Sequence, residues 1–185
     1  QLLGIDAPLA VGVVQDPGAA DRYVPYVWQS GIALPDRDYY LAKEPKQVET
    51  RKKYQAYVRD LLAAADVKDA DAAAARILAL ETRMADAHWT RVQNRDVEKT
   101  YNRYELAEAA KLTPGLDWPA FLDGAGAGKV TTLIVSQPSF FTKAFARFSR
   151  SPASMRSALL STSQRGFAKR PGSYFFSSSA IAFTS

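Results

Sequence analysis

The sequence predicts a mainly α-helical, α+β domain with a small antiparallel sheet, and three observations carry that prediction. Two long stretches, near 46–65 and 69–92, place apolar residues at the three- and four-residue spacing of a helix face. β-Branched and aromatic residues flank a turn cluster near the start, and a second β-branched run, VTTLIV, stands at 130–135. The chain has 185 residues, 47% of them hydrophobic and 23% charged, which is enough apolar material for one sizeable core.

In chain order, Val11, Val13 and Val14 precede Asp16, Pro17 and Gly18, and Tyr23, Val24, Tyr26, Val27 and Trp28 follow them. This spells a hairpin with strands near 11–15 and 24–29, and Pro25, which cannot donate to a ladder, demotes the second arm to an edge. GIALPDRDYYL at 31–41 reads as a structured loop entering a short helical turn, with Asp36 or Asp38 as its cap. Pro45 then opens a helix whose stripe is Tyr54, Tyr57, Val58, Leu61, Leu62 and Ala65. The next helix, near 69–92 with Asp69 or Asp71 as cap, has the stripe Ala73, Ile77, Leu80, Met84 and Ala87. The short link around 66–69 predicts antiparallel packing of the pair. A shorter helix is expected near 103–111, a break at Thr113, Pro114 and Gly115, and a helix capped by Asp117 that carries Trp118, Phe121 and Leu122. After GAGAG at 124–128 and the strand at 130–135, a last helix enters through Pro138 with Phe140, Phe141, Ala144, Phe145 and Phe148 on its apolar face.

Composition excludes several chemistries. With no Cys and a single His, His88, there is no disulfide framework, no thiol nucleophile and no site built from two imidazoles. The net charge of +5 suggests nucleic acid or an anionic membrane until it is divided: residues 1–123 hold 16 Lys/Arg against all 19 Asp/Glu, a balance of −3, and 124–185 hold 8 Lys/Arg and no acid. No apolar run approaches the length of a bilayer span. The start, QLLGIDAPLAVG, lacks an initiator Met and a charged leader, as expected of a piece of a longer polypeptide.

The motif GIALPDRDYYL closely resembles a signature in the N-terminal region of neprilysin-like zinc metallopeptidases. VGVVQD (11–16), RKKYQAYV (51–58), ALETRMADAHW (79–89), RDVEKTYNRYEL (95–106), PGLDWPAFL (114–122) and VTTLIVSQPSFF (130–141) follow in that family's order. The resemblance implies that residues 1–148 are part of the family's helical N-terminal domain, which faces a catalytic domain of the same polypeptide across a chamber that admits oligopeptides. It implies zinc in that catalytic domain, on a His-Glu-x-x-His helix with a downstream Glu, and an extracytoplasmic enzyme that is periplasmic, secreted or membrane-anchored. The absence of Cys fits a bacterial relative better than the disulfide-bonded animal ones. None of the catalytic motifs is present, so the resemblance assigns no catalytic, cofactor-binding or metal residue here, and the chain alone should be inactive. Residues 149–185, basic, with ten Ser from 151 onward and no helical or strand period, depart from the family pattern. They read either as an out-of-frame translation or as a divergent, disordered native tail. A rival reading of the whole is a non-catalytic helical module that uses this tail on nucleic acid or anionic lipid.

Individual residues have plainer readings than catalysis. His88 and Glu81 lie seven positions apart near the Met84 face, but zinc needs about four donors, so a His88 paired with a carboxylate or carbonyl is expected. Glu81 and Asp86 are expected to pair with Arg83 or with a neighbouring helix. Asp36, Arg37 and Asp38 are expected to supply caps and an ion pair that fix a turn. GAGAGKV lacks the Lys-Ser/Thr ending of a phosphate loop and reads as a linker. Nucleic acid is not an expected partner.

Overall fold

The N-terminal hairpin pairs β1 (Leu9–Asp16) with β2 (Ala19–Gln29), in register from Leu9 opposite Gln29 to Gln15 opposite Tyr23. The computed structural model describes residues 8–148. At the turn the Gly18 amide donates to Asp16 Oδ1 at 2.9 Å, a local bond that aspartate before Pro-Gly is suited to make. Ten further elements follow among the described residues: α1 (Asp38–Leu41), α2 (Pro45–Ala64), α3 (Ala70–Ala87), α4 (Arg91–Asn94), α5 (Val97–Thr100), β3 (Arg103–Glu105), α6 (Leu106–Leu112), α7 (Trp118–Gly124), β4 (Thr132–Val135) and α8 (Pro138–Phe148). Among the described residues the fold is mainly helical with one small sheet.

That sheet is mixed and not antiparallel as expected. Its order is β1-β2-β4-β3, and β2 runs parallel to β4 through Tyr26 opposite Ile134 and Val27 opposite Val135. A parallel pair needs a long crossover, and here all of residues 30–131 intervene. β2 is therefore interior, which corrects its placement at an edge. Pro25 is tolerated because β4 covers only Tyr26 and Val27, so the ladder on that side begins just beyond the proline.

Three further boundaries differ from expectation. Residues 103–105, read as the start of a helix, instead form the edge strand β3 against β4, and the helix begins at Leu106. The helix expected over 69–92 stops at Ala87 because Thr90 starts a new one: Gln93 N–H donates to Thr90 Oγ1 at 3.2 Å and Thr90 N–H to Gln93 Oε1 at 2.8 Å, a capping box. Neither Asp69 nor Asp71 caps α3 through its side chain; Asp69, with Asp66, takes a left-handed conformation (φ 55°) that turns the chain between α2 and α3. Asp117 does cap α7, accepting from Ala120 N–H at 3.0 Å.

The main core lies between the sheet and the C-terminal helices. Leu133, Val135, Phe140 and Phe141 are inaccessible to solvent and pack with Val27, Trp118 and Leu122. Trp118 stays dry there because its indole N–H donates to Thr113 Oγ1 at 2.8 Å. The α2/α3 pair is thinner. Val58, Ala74, Met84 and Ala85 are buried, whereas Tyr57 (62% exposed), Leu61 (57%) and Leu80 (38%) from the expected stripes face outward.

Candidate functional site

A concavity with polar walls, about 290 Å³, lies under the 31–37 loop, between the end of β2, the end of α3 and α4. Its frame is a relay of backbone and amide bonds. The Gln29 side chain bridges to the residue after His88, accepting from Trp89 N–H at 2.7 Å and donating to Trp89 carbonyl at 3.3 Å. Gln137, at the entry to α8, accepts from Gln29 N–H at 3.0 Å and donates to Asn94 Oδ1 at 3.0 Å. β2, α3, α4 and α8 are thus locked around one corner, which makes the pocket a rigid feature of the fold.

His88 forms part of the wall. It is buried, its Nε2 donates to the Ser30 carbonyl at 3.1 Å, and its ring stands edge-on to Phe140 with centroids 4.8 Å apart. Burial drives its pKa down to about 4, the Arg37 charge adds to that, and the Ser30 carbonyl opposes it. At neutral pH it is an uncharged donor, which is the carbonyl pairing expected of it.

Glu81 is not brought to His88. It sits among tyrosines, accepting from Tyr40 OH at Oε2 and from Tyr54 OH at Oε1, both at 2.9 Å. Burial raises its carboxyl pKa while the two hydroxyls pull it down, and the same burial, helped by the carboxylate, raises both phenols. The expected pairing of Glu81 with neighbouring helices holds, through α1 and α2.

Asp36 behaves as a turn residue, its Oδ1 accepting from Asp38 N–H at 2.8 Å. The ion pair at this loop joins Asp36 to Arg91 of α4, outside the expected Asp36, Arg37 and Asp38 cluster. Asp38 opens α1. Arg37 points into the pocket wall with its Nε buried and without a hydrogen-bond partner.

A second polar cluster went unread in the sequence. Asp16 is buried and accepts from Tyr101 OH at 2.7 Å and from Arg103 at 2.6 Å, besides Gly18 N–H. Those bonds, that of Tyr101 first, hold its carboxyl below the usual range. The signal available was that Asp16 falls in VGVVQD and the other two in RDVEKTYNRYEL, yet no spacing rule joins positions 85 apart. The cluster clamps the hairpin turn to β3.

The donors present do not fit zinc. His88 is the only imidazole and is committed to Ser30, and among the described residues no group of three or more His, Asp or Glu is placed to hold a metal ion.

Comparisons with known proteins supply what the site geometry does not. The model of peptidase family M13 matches residues 1–169. Endothelin-converting enzyme 1 of Cavia porcellus is 34% identical over 116 residues, 62% of this chain and 15% of that protein. Endothelin-converting enzyme-like 1 of Rattus norvegicus is 31% identical over 119 residues, 63% of this chain and 15% of the relative. Among solved structures, the zinc metalloprotease ZMP1 of Mycobacterium tuberculosis in complex with an inhibitor superposes with a TM-score of 0.70 at 27% identity, covering 80% of this chain and 23% of that one. PepO of Lactobacillus rhamnosis shares the fold, with a TM-score of 0.54 at 17% identity over 74% of this chain and 22% of PepO. The chain thus spans about 15% of the length of the curated relatives it matches.

Proposed function

The chain belongs to peptidase family M13, and from that membership we propose that it is the N-terminal part of a neprilysin-like zinc metalloendopeptidase acting on oligopeptides, shaping the substrate chamber and supplying no catalytic residue. The observation that carries this reading is the superposition on ZMP1, in which most of this chain corresponds to under a quarter of a zinc metalloprotease. The zinc site and the residues that work on it belong to the remainder of such a polypeptide, and no step of hydrolysis is assigned to residues of this chain.

The partners in this reading are the catalytic domain of the same polypeptide and an oligopeptide substrate, with no nucleic acid. The enzyme is extracytoplasmic, as the resemblance implies; among the described residues no helix is long and apolar enough to cross a membrane. Residues 149–185, on which the rival module with a basic tail depends, lie outside the described residues.

The test is complementation. The 185-residue chain is mixed with a separately produced His-Glu-x-x-His segment of a family member, and cleavage of an internally quenched oligopeptide is followed. Activity that needs both parts is the expected result. Cleavage by this chain alone overturns the reading, as does a catalytic segment whose rate and substrate range are indifferent to it. Salt-dependent binding of DNA or anionic vesicles by 149–185 alone would favour the rival.

A further inference from the structure

The pocket under the 31–37 loop contains one cation that the described residues leave unanswered. Arg37 has its Nε sealed from solvent without an acceptor, and its guanidinium has no ion pair or hydrogen bond among the described residues. A sealed, charged N–H in that condition is costly, and an acceptor brought from outside would relieve that cost. The neighbouring groups do not provide one. Asp36 is committed to Arg91 and to the Asp38 amide, and the His88 ring donates to Ser30.

We propose that this pocket is a carboxylate receptor, with Arg37 as the residue that binds a peptide carboxylate. The planar fork of guanidinium donors matches a carboxylate, and the apolar wall of Ile32, Leu34 and Trp89 takes the stem that carries it. The charge count selects a monoanion: a phosphate dianion would meet one free cation and the carboxylate of Asp36 in the same wall. The volume of about 290 Å³ admits one side chain or a chain terminus, not a helix. Two sources share this chemistry, the C-terminal carboxylate of an oligopeptide and an Asp or Glu presented by other parts of the polypeptide. The inference stands on the pocket alone and does not require the substrate-chamber reading.

The test is an NMR titration of the 185-residue chain at fixed ionic strength, following the His88 ring and Trp89 indole signals. Three probes are added separately: acetyl-Ala-Ala-Ala with a free C-terminus, acetyl-Ala-Glu-Ala amide, and acetyl-Ala-Gln-Ala amide. Saturable shifts with a carboxylate probe and none with the glutamine probe are expected, with affinity weakened at least about tenfold in Arg37→Gln, equivalent to about 1.4 kcal/mol. Preference for the free terminus identifies an oligopeptide end as the source, and preference for the glutamate probe identifies an acidic side chain. Absence of saturation with both carboxylates, or equal binding of the glutamine probe, overturns the proposal without recourse to any variant. Unchanged binding by a folded Arg37→Gln protein overturns it as well.

Discussion

The Tyr40 hydroxyl donates to Glu81 Oε2 at 2.9 Å while accepting from the Leu34 amide, also at 2.9 Å. One phenol therefore fixes the loop over the pocket to the middle of α3. Tyr40 is buried, so Tyr40→Phe keeps the ring and strands two partners, the Leu34 N–H and one lone pair of Glu81. The expected loss is about 1–3 kcal/mol, read as a lower urea midpoint at unchanged slope. Tyr54→Phe removes only one bond at a half-buried site and should cost less; equal costs for the two would contradict the bridging role.

His88 makes stability depend on pH in a stated direction. Its imidazole takes a proton near 6.5 when unfolded and only near about 4 when folded. Between those values the unfolded state binds more protons, so stability is lost as pH falls through the window, by at most about 3 kcal/mol. Glu81, whose carboxyl pKa is raised, contributes the opposite slope at the acidic end. The measurement is therefore the difference between wild type and His88→Gln, a residue able to donate to Ser30. Wild type should lose more stability than the variant between pH 7 and pH 4.5, and parallel curves would show that the imidazole is not held neutral.

How far the sequence disclosed this structure depends on the range of the interaction. α2 and α8 were legible because helical periodicity and an entering proline are local signals, and the apolar face of α8 is buried at Phe140, Phe141, Ala144 and Phe145. β3 was not legible, since three residues carry no period and their strand state comes from pairing with β4. The parallel pairing of Tyr26 with Ile134 is equally invisible, because no local rule sets register across a hundred residues. At the pocket, His88 bonded to a carbonyl was foreseeable, whereas the Asp36 to Arg91 pair and the isolation of Arg37 depend on where α4 restarts.

Gly18 is required by contact more than by conformation. A Cβ built there would collide with the Tyr101 hydroxyl, the group that bonds Asp16. Gly18→Ala should therefore cost about 1–3 kcal/mol through overpacking. The cycle with Tyr101→Ala supplies the check: in that background the added methyl meets no ring, so the second substitution should cost little and the pair should be strongly non-additive. Additive losses would mean the clash is absorbed by the turn.

The stripe of α2 divides in a way that stability measurements can resolve. Val58 is buried on a helix that packs against α3 and α1, whereas Tyr57 and Leu61, on the same apolar reading of the helix, are 62% and 57% exposed. Val58→Ala removes two buried methyl groups, so a loss of roughly 1–2 kcal/mol is expected from transfer and residual cavity together. Leu61→Gln, at a solvent-facing helical position where Gln and Leu have similar propensities, should stay within about 0.5 kcal/mol. Thermal or urea unfolding of the two variants, each at several protein concentrations, decides the matter. A large concentration-dependent loss from Leu61→Gln would show that this face is covered by a second copy in solution, and a large concentration-independent one would show that Leu61 is part of the fold's own core.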